Sequence, residues 1–159
     1  MVSIGKIGDI FAHQGTGRIV KANGNDALWE KTIEVAQGEG DHLLALTNFV
    51  DFDMLYGHRH DIEGYAAALE AFDRALLRFE AALRPGDLAI ITADHGCDTT
   101  WQGTDHNREN VPVLAFGPSV RAAALGLRDS FADIGQTLAG HLGLAPLDHV
   151  KSFLAEPTA

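Results

Sequence analysis

The clearest hydrophobic pattern in the chain is an apolar stripe that repeats every three or four residues after Asp61. Its members are Ile62, Tyr65, Leu69, Phe72, Leu76, Phe79 and Leu83. This spacing is typical of one face of an α-helix. Asp61 is the predicted N-cap, and Pro85-Gly86 is expected to end the helix. We therefore expect a long helix that packs its apolar face on a core.

Four shorter apolar runs have the length of β-strands. They cover residues 2–7, 42–50, 87–93 and 111–116. The near-continuous run at 42–50 is typical of a strand that is covered on both faces. Pro112 is expected at the beginning of the last strand or beside a sheet edge, because proline donates no ladder hydrogen bond.

Two further helices are indicated by their capping residues. Asn25 or Asp26 is expected to cap a helix that runs to about Gln37. Ser130 and Asp133 form a pattern similar to a capping box at the start of a last helix. Because strands alternate with helices, the sequence predicts an α/β fold with a mostly parallel sheet flanked by helices.

Length and composition agree with a globular protein of ordinary size. The chain has 159 residues, of which 46% are hydrophobic and 21% are charged. This composition excludes a disordered or fibrous chain. We expect a single domain over residues 1–159.

Charge and hydropathy exclude several kinds of partner. Twelve Lys and Arg against 22 Asp and Glu give a formal net charge of −10, which repels nucleic acid and anionic membrane surfaces. No apolar run approaches the ~20 residues that a membrane span requires. The first residues do not resemble a signal peptide, and Cys97 is the one cysteine, so a cytoplasmic location is expected.

Two clusters of aspartate and histidine follow two of the predicted strands, at residues 51–61 and 94–106. Ligands of open α/β sheets bind beyond the carboxyl ends of the strands, so both clusters are expected at one rim. Asp51 and Asp53 are predicted to point the same way from extended chain. Gly57 is expected to allow a turn that brings His58 back towards them.

Imidazole and carboxylate groups without thiolates suit Zn²⁺ or Mn²⁺ better than Ca²⁺ or an iron–sulfur cluster. Enough of them are present for two ions ~4 Å apart, an arrangement that serves displacement at phosphorus. Taken singly, each Asp or His is more often a loop cap or a solvated residue. Cys97 is more readily a small buried residue than a nucleophile. Surface or packing roles are expected for His13, His42, His141 and His149.

Several stretches of the sequence resemble the phosphopentomutases, a family within the alkaline phosphatase superfamily. They are residues 4–11, 48–59, 90–98, 103–106 and 131–137. The sequences DFDMLYGHR and TADHGCD together are specific to that family, whereas TADHG alone indicates only the superfamily. The resemblance implies an alkaline-phosphatase-like core.

The resemblance also implies an activity. Phosphopentomutases interconvert ribose 1-phosphate and ribose 5-phosphate, and their deoxyribose counterparts, with two manganese ions and a phosphorylated threonine. It implies five metal ligands in two sets, namely Asp53, His58 and His106 for one ion, and Asp94 and His95 for the other. Asp51 falls outside these sets, and Lys6 is expected to contact the sugar phosphate.

The resemblance further implies that this chain is a carboxy-terminal part of the family's core, without the cap domain, the first ligand aspartate and the nucleophilic threonine. We therefore assign no catalytic nucleophile and expect the second metal site to be weak. The expected partners are pentose phosphates and a missing amino-terminal half. Two alternatives are another phosphomutase or phosphatase of the superfamily, and a metal-binding fragment without catalytic activity.

Overall fold

A computed structural model describes residues 1–38, 40–103, 106–148 and 150–154. The chain forms two compact units, Met1–Pro118 and Ser119–Ala159. The prediction for His149 concerns a residue outside the described part of the chain.

The first unit is built around a three-stranded parallel sheet. Its strands are β1 (Val2–Ile4), β2 (Arg18–Val20) and β3 (Ala45–Thr47), in the order β2-β1-β3. All three residues of the central strand β1 are buried. The short helix α1 (Ile7–Ile10) follows β1. The parallel sheet and its flanking helices confirm the predicted α/β class.

The strand predicted over residues 42–50 is shorter and more exposed than expected. Only Ala45–Thr47 forms a strand, and Leu46 within it is 38% exposed. Within the described sheet, β3 is an edge strand that pairs on one side with β1. The prediction of a strand covered on both faces is therefore wrong for the described residues.

Helix α2 (Asn25–Gln37) packs its apolar face against this sheet and has the predicted bounds. Leu28 and Val35 from the helix join Val2 and Ile4 of β1 in the core. The predicted caps are wrong, because the N-cap position is Gly24. The backbone N–H of Asn25 instead donates to a carboxylate from a later part of the chain, described below with the site.

Helix α3 (Ile62–Glu80) begins as predicted, since the Asp61 carboxylate accepts a hydrogen bond from Gly64 N at 2.9 Å. Its apolar stripe is only partly covered. None of its residues is buried, and Ile62 and Leu69 are 53% and 49% exposed. The expectation of a stripe packed in a core is wrong for the described residues, because α2 and nearby aromatic rings contact only part of it.

The remaining strands of the first unit are β4 (Ala89–Thr92) and β5 (Val113–Phe116), which form an antiparallel pair. Pro112 directly precedes β5, as predicted. These strands form a sheet separate from β1–β3 in the described residues, so the parallel arrangement is confined to the first three strands.

Helix α4 (Ala132–His141) lies in the second unit. Ser130 Oγ accepts a hydrogen bond from Ala132 N at 3.1 Å, but Asp133 does not complete a capping box. The Asp133 carboxylate accepts from Lys151 N at 3.0 Å instead, and so ties the following segment to the helix. Among the described residues, no helix combines the length and the apolar character that a membrane span requires.

Candidate metal centre

A π-helical turn at Phe52–Gly57 positions the first cluster, between β3 and α3. The N–H of His58 donates to the carbonyl of Asp53 at 3.1 Å, which is the five-residue step of a π-helix. The prediction that Asp51 and Asp53 point the same way from extended chain is wrong. Residues two apart do not share a face of a helical segment, so the two carboxylates point in different directions and have different partners.

Asp51 faces the start of α2 rather than the cluster. Its Oδ2 accepts a hydrogen bond from Asn25 N at 2.7 Å. Asp51 thereby provides the carboxylate that stabilises the first turn of this helix.

Asp53 faces two histidines, one from its own turn and one from the second cluster. Its Oδ2 lies 3.3 Å from Nε2 of His58, and its Oδ1 lies 3.3 Å from Nε2 of His106. One potential ligand atom from each of the three residues lies within 4.8 Å of the others. Both polar stretches therefore reach the same place, although β3 and β4 belong to separate sheets in the described residues.

The loop after β4 is closed by an antiparallel bridge between Gly96 and Asn107. Asn107 N donates to Gly96 O at 3.2 Å. A Cβ at Gly96, which is buried, would collide with the Asn107 side chain, so the bridge requires glycine. The bridge holds His95 against His106, with the rings stacked at a centroid distance of 3.6 Å and 20° between their planes.

The structure does not bring Asp94 into this cluster. Its side chain is 80% exposed, and Oδ1 lies 3.7 Å from Nε2 of the neighbouring His95. Of the five expected ligands, Asp53, His58 and His106 form one compact group, His95 stacks beside it, and Asp94 lies at the surface.

Lys6 lies next to the π-helical turn. It follows β1, is exposed, and its Nζ donates to Sδ of Met54 at 2.7 Å. This contact connects Lys6 to the turn that carries Asp53.

Two residues next to Asp53 have raised pKa values. Burial is the main cause of the raised pKa of the Cys97 thiol, and the carboxylates of Asp53 and Asp98 add to it. The pKa of Tyr65 is raised by burial first, and then by Cys97 and Asp53. The thiol is therefore held in its protonated, weakly nucleophilic form.

The sequence pattern did not predict that Tyr65 lies beside the site. Its place in the apolar stripe indicated a packing role, and its ring does contact Phe52, with centroids 5.7 Å apart. A signal was available, because Tyr65 lies in the first turn of the helix that directly follows the first cluster.

The three clustered side chains fit a divalent cation. Asp53 Oδ1 is buried and accepts no hydrogen bond, so a cation would give this oxygen a partner. One carboxylate with two imidazoles is a donor set that suits Zn²⁺ or Mn²⁺.

The sequence of the chain matches a family of metal-dependent enzymes. Residues 4–146 match the family described as Metalloenzyme superfamily. This stretch covers most of the 159 residues, and the chain belongs to the metalloenzyme superfamily. The parallel sheet with flanking helices agrees with the alkaline-phosphatase-like core that the sequence implied.

Within that superfamily the chain is similar to phosphopentomutases. Over 152 residues it is 64% identical to the phosphopentomutase of Allorhizobium ampelinum, 58% to that of Rhizobium leguminosarum bv. trifolii and 59% to that of Rhizobium meliloti. Each comparison covers 96% of this chain and 37% of the relative. The predicted resemblance is confirmed, and the chain spans little more than a third of the length of these relatives.

Proposed function

We propose that this chain supplies most of the metal ligands of a phosphopentomutase, an isomerase that acts on ribose and deoxyribose phosphates in nucleoside catabolism. The observation that carries the proposal is the convergence of Asp53, His58 and His106, whose ligand atoms lie within 4.8 Å of one another. The similarity to phosphopentomutases over 96% of the chain supports this choice within the superfamily.

In this proposal Asp53, His58 and His106 hold one Mn²⁺, and Asp94 and His95 contribute to a second, weaker site. When bound, manganese would polarise phosphoryl oxygens as a Lewis acid. The stacking of His95 on His106 supports two neighbouring sites. It brings a ligand of the second ion beside a ligand of the first. The exposed position of Asp94 supports weaker binding at the second site.

The residues of this chain have separate roles in the proposed site. Asp53 lies between the two imidazoles, with each Nε2 atom 3.3 Å from one of its oxygens, so the three ligands are already close together without a metal. Lys6 offers an ammonium group to the phosphate of the pentose, from its position beside Met54. Its charge would attract the dianionic substrate towards a chain whose net charge is −10.

The proposed reaction needs a threonine outside this chain, which donates its phosphoryl group to the sugar phosphate and then takes the second phosphoryl group back on its free hydroxyl. We therefore propose an amino-terminal segment as the partner that completes the site. The length of the relatives supports this, because most of it lies outside the matched stretch. Exposed apolar residues also support it, namely Leu46 on the edge strand β3, and Ile62 and Leu69 on α3. A cytoplasmic location remains a prediction from the sequence.

A chimeric enzyme tests this proposal. The matched 152-residue stretch of the Allorhizobium ampelinum relative is replaced by the corresponding residues of this chain. We expect the chimera to interconvert ribose 1-phosphate and ribose 5-phosphate in the presence of Mn²⁺. Asp53→Ala in the chimera should reduce the rate at least ~100-fold, because the ligand that contacts both histidines is lost.

The matched control in the chimera is Asp9→Ala. Asp9 also lies near a histidine, with Oδ1 3.5 Å from Nε2 of His13, but the pair is exposed and does not belong to the cluster. Its removal should leave the rate unchanged. A folded chimera without activity, or one that keeps its activity after Asp53→Ala, would contradict the proposed function.

A further inference from the structure

Gly57 is a buried residue at the end of the π-helical turn, and its backbone does not require glycine. Its φ is not among the positive φ values of the chain. Glycine is required at this position because its neighbours leave no room for a side chain. A Cβ at this position would lie 2.6 Å from Sγ of Cys97, 3.1 Å from the carbonyl oxygen of Phe52 and 3.7 Å from Oδ1 of Asp53. The turn at Gly57 does bring His58 back to Asp53, but the site needs glycine there for space and not for backbone freedom.

The contact between Gly57 and Cys97 joins the two segments that carry the clustered residues. Gly57 directly precedes His58, and Cys97 follows His95 by two residues. The backbone of one segment thus packs against the thiol of the other, close to the Asp53 carboxylate. Any side chain at residue 57 would push the segments apart, because packed interiors have little room for an added methyl group.

The same two segments make a second contact. His60 Nδ1 is 3.1 Å from the carbonyl oxygen of Thr99, and this contact is exposed. The Gly57–Cys97 contact is the more buried of the two, and a Cβ on Gly57 would lie 3.7 Å from Oδ1 of Asp53. It is therefore better placed to set the separation between His58 and the histidines of the second segment.

We propose that Gly57 and Cys97 form a spacer that positions the metal ligands of the two segments. Gly57 is a positioning residue, and Cys97 acts through the size of its side chain and not as a ligand. This inference rests on the proposed metal site, since it concerns the distance between Asp53 and His58 on one segment and His95 and His106 on the other.

The substitution Gly57→Ala separates this role from an effect on folding. Alanine favours helical backbone over glycine, so without the spacer contact the variant would be as stable as the wild type or more stable. With the contact, the added methyl displaces one segment. We expect the affinity for Mn²⁺ to fall ~10- to 100-fold, as is usual when a residue that orients metal ligands is changed.

Relief of the contact should restore binding. Cys97→Ala removes Sγ but no proposed ligand and adds no clash, so alone it should weaken Mn²⁺ binding less than Gly57→Ala does. In the double variant Gly57→Ala/Cys97→Ala the methyl group of residue 57 gains space. We expect most of the lost affinity to return, so that the two substitutions are strongly non-additive.

Two further variants complete the test. Gly140→Ala in α4 is the matched control, because a Cβ there would meet nothing within 4 Å. It should leave Mn²⁺ affinity unchanged. Cys97→Val adds volume at the spacer from the other segment. It should weaken binding to an extent comparable with Gly57→Ala, and it keeps the proposal testable if Gly57→Ala does not fold.

Calorimetric titration with Mn²⁺ measures the affinities, and circular dichroism measures the thermal midpoint of each variant. Weakened binding by folded Gly57→Ala, with recovery in the double variant, would support the spacer. Wild-type affinity in Gly57→Ala or in Cys97→Val, or no recovery in the double variant, would overturn it while leaving the proposed metal site intact. Absence of Mn²⁺ binding by the wild type would overturn both.

Discussion

At the scale of single residues, the carboxylate of Asp51 connects the π-helical turn to the start of α2. Its Oδ2 accepts from Asn25 N at 2.7 Å, and Asp51 N donates to Oδ1 of Asn25 at 3.4 Å. We expect Asp51→Ala to lower the free energy of unfolding by about 1 kcal/mol, the usual cost of losing an acceptor at a helix N-terminus. Urea unfolding measures this change.

The same variant should weaken Mn²⁺ binding only slightly, since Asp51 points away from the cluster. Asp51→Asn is the matched control, because it keeps a side-chain acceptor for Asn25 N and should retain most of the stability. Loss of Mn²⁺ binding in Asp51→Ala would show that Asp51 is a ligand, contrary to our assignment.

Residue types predicted two polar clusters at one rim, and the family resemblance implied Asp53, His58 and His106 as one ligand set. The structure brings these three together. The different directions of Asp51 and Asp53 could not be predicted, because they depend on helical backbone where the sequence indicated extended chain. The close packing at Gly57 could not be predicted from the sequence either. It depends on Cys97, which lies forty positions later and approaches only in the folded chain.

At the scale of elements, an aromatic group joins α2 to α3. The ring of Trp29 lies 4.7 Å from the rings of both Phe49 and Phe72, measured between centroids. We expect Phe72→Ala to lower the free energy of unfolding by about 2–3 kcal/mol, less than for a fully buried ring. Leu77 on the same helix is 67% exposed, so Leu77→Ala should cost less than about 0.5 kcal/mol.

Urea denaturation of the two variants tests this packing. Equal destabilisation by Phe72→Ala and Leu77→Ala would mean that the aromatic group does not hold α3 in place. A loss confined to Phe72→Ala is the result that the structure predicts.

A second link between α2 and α3 depends on pH. Arg78 donates two hydrogen bonds to Glu30, at 2.8 and 3.1 Å, and the hydrogen bonds and charge of Arg78 lower the pKa of Glu30. A lowered pKa in the folded state means that the pair stabilises the fold above the ordinary pKa of glutamate. This contribution is lost as the pH falls through the lowered value.

We therefore expect Arg78→Gln to have a slightly lower thermal midpoint than the wild type at pH 7, since exposed ion pairs contribute little. The difference should shrink as the pH falls below the ordinary pKa of Glu30. The carboxyl pKa of Glu30, measured by NMR, should rise in the variant. A difference in midpoint that stays constant with pH would contradict this account.

Hydrophobic periodicity predicted the elements better than their surroundings. Capping and stop residues added the end of α2 at Gln37 and the cap of α3 at Asp61, because both follow from local sequence. Periodicity did not predict that Ile62 and Leu69 are exposed, since the covering of a stripe depends on which other elements are near. The π-helical turn was not predicted either, because its five-residue hydrogen bonds have no distinctive spacing of apolar residues.

At the scale of the whole molecule, this chain corresponds to 37% of the length of the relatives that it matches. We expect the 159-residue chain alone to show no conversion of ribose 1-phosphate to ribose 5-phosphate above background. The proposed nucleophile lies outside it, and loss of a covalent nucleophile removes most of the rate.

Addition of a separately expressed amino-terminal segment of a phosphopentomutase relative should restore part of the activity, because strand edges and exposed apolar residues remain to be covered. The measurement is the conversion rate with and without that segment. Full activity of the chain alone would mean that one of its own residues is the nucleophile. Thr92, Thr99 and Thr104 are the first to test, of which Thr104 lies outside the described residues.

The central claim is that Asp53, His58 and His106 bind a divalent cation, and calorimetric titration with Mn²⁺ tests it most directly. We expect one tighter binding event per chain, abolished by Asp53→Ala and unchanged by Asp9→Ala, whose carboxylate lies near a histidine that is not part of the cluster. Any second event should be weaker, because Asp94 is exposed and only His95 lies beside the group. Two equally tight events, or a tight event that persists in Asp53→Ala, would contradict the account.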